Sequence, residues 1–216
     1  MYDPLGFIQP LVIKMKLVFQ QVCYTQVRWD DLIDGDLINK WKGIIADLRQ
    51  FCNIEVQRCY FITNINDSID KIYLHGFSDA SEKAYAACVY LKSVMRSGNI
   101  KVTLVASKSR LVPIKKQLTI PRLELLGNFI LSKLMVTLME SLKQELEIEE
   151  YCWTDSTITL SWIKNDHLEF KPFVENRLRV IRKNIHATKW YHCKTKDNPA
   201  DIINENRMWW NGPEFL

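Results

Sequence analysis

Residues 71–107 read KIYLHGFSDASEKAYAACVYLKSVMRSGNIKVTLVAS, and this stretch decides the fold. Lys71–Phe77, Tyr85–Leu91 and Lys101–Ser107 are short runs rich in β-branched and aromatic residues. Turn-forming residues separate them, Ser97-Gly98-Asn99 most plainly, so the runs read as an antiparallel meander. The longest helical pattern follows over 121–144. Pro121 sits in its first turn, where a missing N–H is harmless, and apolar residues cover most of its circumference. Such a helix is buried on more than one side.

Downstream, Ile148–Trp153 reads as a fourth strand and Ser156–Lys164 as a short helix. Pro172–Asn184 is amphipathic, with Val174, Leu178, Ile181 and Ile185 on one face and Arg179, Arg182 and Lys183 on another. Thr188–Cys193 reads as a fifth strand, followed by an Asn-Pro turn and a short helix from Ala200. The order β-β-β-α-β-α-α-β-α predicts an α+β domain with a mixed sheet, because strands beyond the long helix can return in parallel. Upstream, residues 10–24 and 36–52 carry apolar side chains at helical intervals, with Asp36 as an N-cap. Two such helices need a surface to pack on, either the rest of the chain or an upstream partner. The opening Met-Tyr-Asp-Pro-Leu-Gly-Phe reads as if it began inside a longer polypeptide.

The 216 residues suffice for one domain plus an appendage. A net charge of +4 permits a polyanionic partner without demanding one. The six cysteines lie far apart, with no CxxC pair, and read as buried reduced thiols of an intracellular protein. The four histidines show no metal-binding spacing, which argues against a structural zinc site. No uninterrupted apolar run approaches the ~18–20 residues of a membrane span, so no membrane partner is expected, and the N-terminus lacks a signal-peptide pattern.

The chemistry lies in four carboxylates set among apolar or small neighbours: Asp79, Glu124, Asp155 and Asp201. Acidic side chains in such settings are usually paired or metal-bound. If they converge, their repulsion calls for divalent cations, an arrangement suited to phosphodiester hydrolysis. Each also has an ordinary reading. Asp79 could form a strand-end Asx turn, Glu124 could face solvent or favour a helix dipole, and Asp155 and Asp201 could open the helices that follow them.

The order of elements, with these acids at those places, resembles the ribonuclease H fold. The wording goes further. FSDAS (77–81), SKSRLVPIKKQLTIPRLELL (107–126), WTDSTITLSWI (153–163), FVENR (173–177), NPADI (198–202) and WWNGPEFL (209–216) resemble the ribonuclease H region of BEL/Pao-type LTR retrotransposon polyproteins. DPLGFIQPLVIKMKLVFQ (3–20) and WDD (29–31) are similar to the segment joining reverse transcriptase to that region. The resemblance implies a five-stranded mixed sheet flanked by helices, with an N-terminal helical extension. It implies a connection segment over 1–65, a ribonuclease H-like domain over 66–208 and a linker over 209–216. The implied activity is hydrolysis of the RNA strand of an RNA–DNA hybrid during reverse transcription. Two Mg²⁺ ions, replaceable by Mn²⁺, would be held by Asp79, Glu124, Asp155 and Asp201. The implied partners are the hybrid and the upstream reverse transcriptase region, and the implied setting is a cytoplasmic retroelement particle.

Other residues are more ambiguous. Ser81 and Ser156 could touch the nucleic-acid backbone or satisfy turn amides. Lys108, Arg110, Lys115, Lys116 and Arg122 read as a solvated basic loop or as phosphate contacts. Arg179, Arg182 and Lys183 could grip a hybrid or form only the polar face of a helix. Trp153, Trp162 and Trp190, at core-like positions, read as packing residues ahead of base-stacking platforms. His192 falls inside the fifth strand and is not given the role of the mobile histidine that many ribonuclease H enzymes place before the last acid. Relatives continue NPADI with a small residue and Ser-Arg-Gly, whereas this chain has Ile203, Asn204, Glu205 and Asn206. That departure leaves a catalytically inactive nucleic-acid-binding or scaffolding remnant as the alternative. A retroelement aspartic peptidase is the third reading, and the chain lacks the Asp-Thr-Gly or Asp-Ser-Gly it requires.

Overall fold

A computed structural model describes residues 2–28, 30–51, 55–56, 60, 68–115, 118–142, 147–201 and 208–216. β1 (Ile69–Ala80), β2 (Ala84–Met95) and β3 (Ile100–Leu111) form the expected meander, each longer than its apolar run. β4 (Ile148–Thr154) and β5 (Trp190–His192) add to the other side in parallel, giving the order β3-β2-β1-β4-β5. This is the mixed five-stranded, ribonuclease H-like sheet of the sequence reading. β5 is shorter than expected because Ala187–Lys189 closes a 3-10 turn before it.

Both faces of the sheet are covered, which explains why the interior strand β2 reads as a nearly continuous apolar run rather than an alternation. On one face lie α3 (Ile120–Leu142), α4 (Thr157–Lys164) and α5 (Pro172–Asn184). Leu125, Leu131 and Met135 of α3 meet Leu74, Val89 and Val105 of the sheet and Leu178 and Ile181 of α5. α3 is long and apolar enough to match a membrane span by composition, and packing against the sheet and α5 accounts for that composition. On the opposite face, Ile13 of α1 (Gln9–Thr25) packs with Phe77, Tyr90, Leu104, Trp209 and Leu216. α2 (Gly35–Phe51) closes over α1 through Leu11, Val18, Leu37 and Ile44.

The extension is therefore fastened to the sheet. Ser107 N–H donates to the Leu5 carbonyl at 2.8 Å, and Gln20 Nε2 donates to the Val112 carbonyl at 2.9 Å. Residues 209–216, expected to be a linker, instead pack onto the sheet. The short helix α6 (Met208–Asn211) opens this segment, and Trp209 is 4% exposed. Its indole donates to the Phe7 carbonyl at 2.7 Å, and Tyr90 Oη donates to the Trp209 carbonyl at 2.8 Å. Burial of Trp209 and Leu216 outweighs the polar Asn-Gly-Pro-Glu run between them. Asp36 is not an N-cap. It lies inside the first turn of α2, and its N–H donates to the Asp34 carboxylate at 3.3 Å. The 65/66 boundary, Trp29, Cys52, Cys59, Lys116, the end of the 121–144 helix and residues 203–206 with the helix expected there lie outside the described residues.

Candidate metal centre

Parallel pairing of β1 with β4 places Ser78 opposite Thr154, so Asp79 and Asp155 follow side by side at the carboxyl ends of adjacent strands. Open sheets with parallel central strands bind ligands at this edge. α3 delivers the third acid. Its path over β1 is set by Gly127, where a Cβ would come within 3.2 Å of the Asp79 carbonyl. One turn further along, Gly76 lies under Leu131 and Met135, and a Cβ there would meet them at 2.5 and 2.9 Å. Two glycines thus let helix and strand approach closely, and Glu124 arrives beside Asp79. One carboxylate oxygen from each of Asp79, Glu124 and Asp155 lies within 4.8 Å of the other two.

The electrostatics match a site built for a cation. Burial, together with the charges of Asp155 and Asp201, pushes Asp79 from its ordinary 3.8 to about 7. Burial, then Asp79 and Asp155, pushes Glu124 from 4.5 to about 9. Glu124 Oε2 and Asp155 Oδ1 are buried without a hydrogen-bond partner among the described residues. Unpaired buried carboxylate oxygens are costly, and a hard divalent ion satisfies them with the ligand chemistry it prefers. The residues therefore fit the metal that the sequence resemblance implies.

The ordinary reading of Asp155 as a helix cap is set aside by its neighbour. Ser156 is the N-cap of α4, its Oγ accepting from Thr159 N–H at 3.3 Å. Ser81 organises the β1–β2 turn, accepting from the N–H groups of Lys83 and Ala84 at 3.3 Å each. Both serines thus satisfy local amides. Asp201 is not one of the three clustered acids. It lines an adjoining cleft with Asp79, Ser81 and Ala200, close enough for its charge to raise Asp79.

The basic residues divide. Lys108 and Arg110 are exposed on the edge strand β3 rather than in a loop, and pair in register with Ala87 and Tyr85. β2 separates them from β1, about 10 Å from it at normal strand spacing. Lys115 is exposed in the turn after β3. Arg122 lies half-buried near the start of α3, its guanidinium 5.4 Å from the Phe173 ring centre. Arg182 has a structural task, donating to the carbonyls of Trp162, Ile163 and Asn165 at the end of α4. Trp190 is fully buried and Trp162 packs on Phe170, whereas Trp153 is only half-buried within an aromatic surface. His192 occupies the exposed end of β5. Cys88, Cys152 and Cys193 are buried and unbridged, and Cys23 is exposed and also unbridged.

A set of buried polar residues escaped the sequence reading. Ser78 Oγ donates to Asn128 Oδ1 at 2.5 Å, and Asn128 Nδ2 donates to Thr159 Oγ1 at 3.0 Å. Asn198 Nδ2 donates to the Ser78 carbonyl at 3.0 Å, and its Oδ1 accepts from Ala200 N–H at 3.1 Å. Each member sits within four residues of one acid: Ser78 of Asp79, Asn128 of Glu124, Thr159 of Asp155, Asn198 of Asp201. The network ties together the four segments that carry the acids. The available signal was a small polar residue inside an apolar run, as with Asn128 between Leu125 and Ile130.

Residues 1–156 match a protein family described as the Pao retrotransposon-like RNaseH-like domain. No curated protein matches the chain. Among solved structures, ribonuclease H1 from the archaeon Halobacterium salinarum is 11% identical, with a TM-score of 0.38, covering 61% of this chain and 91% of its own. The N-terminal RNase H domain of Rv2228c from Mycobacterium tuberculosis is 12% identical, with a TM-score of 0.41, covering 64% and 93%. LC11-RNase H1, solved in complex with an RNA/DNA hybrid, is 12% identical, with a TM-score of 0.36, covering 59% and 88%.

Proposed function

The chain belongs to the Pao retrotransposon-like RNaseH-like domain family, and from that premise we propose that it is a metal-dependent nuclease that cuts the RNA strand of an RNA–DNA hybrid. One observation carries the reading: three carboxylates converge within 4.8 Å at the carboxyl edge of the sheet, and two of their buried oxygens have no hydrogen-bond partner among the described residues. Asp79, Glu124 and Asp155 would hold the metal, and Asp201 would join them from the adjoining cleft. Their all-oxygen set suits Mg²⁺, with Mn²⁺ as a substitute. When bound, paired divalent ions would supply a water ionised near neutral pH and Lewis-acid stabilisation of the phosphate.

The chain's own residues prepare that chemistry. Burial and mutual repulsion keep Glu124 protonated at neutral pH in the metal-free protein and bring Asp79 near the midpoint of its titration. Those protons would have to leave for the carboxylates to hold a cation, so metal affinity would rise with pH. The Ser78–Asn128–Thr159 network keeps β1, α3 and α4 from drifting apart as the charges develop. A protein nucleophile is not supplied by the nearby thiol. Burial and the Asp155 charge push Cys193 up to about 12, which leaves it a neutral thiol at physiological pH.

The hybrid as substrate fits the family's name and the hybrid-bound LC11-RNase H1. In this reading the protein acts within a retroelement polyprotein during reverse transcription, alongside a reverse transcriptase region. The test is cleavage of an end-labelled RNA–DNA hybrid in Mg²⁺ by the wild-type protein and by Asp79→Asn. Cleavage confined to the RNA strand and lost in the variant is expected. Equal products from both proteins would overturn the assignment, and salt-sensitive hybrid binding without turnover in wild type would point to the inactive remnant.

A further inference from the structure

The face of the sheet that ends in Asp79 and Asp155 carries a continuous aromatic surface leading away from them. Side chains alternate along a strand, so Tyr151 and Trp153 share one face of β4, as do Tyr73, His75, Phe77 and Asp79 of β1, and Asp155 follows just past the end of β4. Tyr191 joins through its pairing with Trp153. Ring centres lie 5.8 Å apart for Tyr151 and Tyr191 and 5.3 Å apart for Trp153 and Tyr191. His75 is buried and stacks on Tyr151 at 5.2 Å, while Tyr73, Tyr151, Trp153 and Tyr191 remain half-buried. Cross-strand pairing alone accounts for rings that touch one another. It does not account for what lies above them.

Three lysines from three separate elements project over these rings. Lys92 Nζ of β2 is 6.0 Å from the Tyr73 centre, and Lys164 Nζ at the end of α4 is 5.8 Å from Tyr191. Lys189 Nζ of the 3-10 turn is 5.3 Å from Tyr151. Tyr151 and Tyr191 thus each turn a face toward a flexible cationic chain. A nucleobase can take the place of a lysine that reaches over a ring, and the displaced ammonium is then at hand for the adjoining phosphate. Glu149 is the opposing charge. It accepts from Tyr151 Oη at 2.9 Å and marks the far limit of the cationic zone. Phe215, 5.1 Å from Trp153, borders the near limit.

We propose that Tyr151, Trp153 and Tyr191, with Lys164 and Lys189, form a stacking platform for single-stranded nucleic acid. A duplex hides its base faces, so ring stacking of this kind selects unpaired nucleotides. Tyr151 lies four strand residues before Asp155, about 13 Å at normal rise, which spans a few extended nucleotides. The platform is thus placed to hold a strand end that has left the duplex beside the acids. The choice of occupant rests in that one respect on the nuclease reading.

The experiment measures binding of a fluorescein-labelled oligothymidylate by anisotropy in EDTA, where no cleavage occurs, with hybrid cleavage in Mg²⁺ assayed separately. Wild type is expected to bind. Tyr191→Ala and Tyr151→Ala are each expected to weaken binding roughly ten-fold, with Tyr191→Phe restoring it. Lys164→Glu with Lys189→Glu, both on flexible surface side chains, is expected to lower the salt-dependence slope by roughly 1.4. Hybrid cleavage should persist in all of them. Absence of wild-type binding, or affinity unchanged across the variants, overturns the platform while leaving the nuclease reading intact. Tyrosine variants that change oligomeric state by light scattering but not oligonucleotide affinity would assign the face to a protein contact, and would equally overturn it. Variant-sensitive binding with no hybrid cleavage by wild type would sink the nuclease reading and keep the platform.

Discussion

Replacing Asp79 by Asn should stabilise the metal-free protein while abolishing its response to metal. In the folded chain Asp79 keeps its proton up to about pH 7, whereas its ordinary value is 3.8. Between those values the folded state binds more protons than the unfolded state. The Asp79 contribution to stability is therefore complete below about pH 4 and is lost as pH rises to about 7. At 1.36 kcal/mol per pH unit, the gap of about three corresponds to roughly 4 kcal/mol of destabilisation at pH 8. Asn carries no charge to bury and can still accept the hydrogen bond from Ala80 N–H. For a chain of this size each kcal/mol moves Tm by about 2–4 °C, so the variant should melt roughly 8–16 °C higher in EDTA at pH 8. The assay is thermal denaturation across pH 4–9, with and without Mn²⁺. Wild type should gain stability on adding Mn²⁺, about 2.7 kcal/mol at a hundred-fold excess over Kd, and Asp79→Asn should gain far less. A wild-type curve flat over this range, with the variant melting lower at pH 8 and responding equally to Mn²⁺, would refute the reasoning.

Other substitutions separate the parts of the site. Gly127→Val places a branched side chain against the Asp79 carbonyl, so α3 must shift; hybrid cleavage should fall at least ten-fold while circular dichroism still reports a folded protein. Asn128→Ala removes the side-chain link between buried Ser78 and Thr159, at a cost of about 1–3 kcal/mol by urea denaturation, and should slow cleavage without changing the pH dependence of metal binding. Asp201→Asn should reduce cleavage less than Asp79→Asn does in parallel assays, because Asp201 lies outside the cluster of three. Arg182→Ala should destabilise the protein by about 1–3 kcal/mol, since three carbonyls at the end of α4 lose their donor, and leave hybrid affinity in gel shifts unchanged.

Strand and helix positions were legible because their signals are local. Val, Ile and Tyr runs between tight turns fix the meander, and the apolar stretch after Pro121 reads as a helix buried on more than one side. Convergence of Asp79, Glu124 and Asp155 was legible only through the order of elements and the family wording, since no local pattern relates residues so far apart. The remaining features depend on tertiary context. Whether Asp155 or Ser156 caps α4 is decided by where β4 ends, and both residues are good caps in isolation. Asn128 and Asn198 resemble ordinary polar residues until the sheet surrounds them. Lys108 and Arg110 read as loop residues, yet edge-strand pairing extends β3 through them, because an edge strand tolerates charge on its open side. The segment 209–216 read as a linker because Asn, Gly, Pro and Glu break its pattern, and only Trp209 and Leu216 hinted that it docks.

A crystal soaked in Mn²⁺ shows whether Asp79, Glu124 and Asp155 form a binding site for divalent cations. The expected result is anomalous density between the three carboxylates, within bonding distance of Glu124 Oε2 and Asp155 Oδ1, and missing from Asp79→Asn crystals soaked alike. Density absent from the wild-type cluster, at a Mn²⁺ concentration that supports hybrid cleavage, would contradict it.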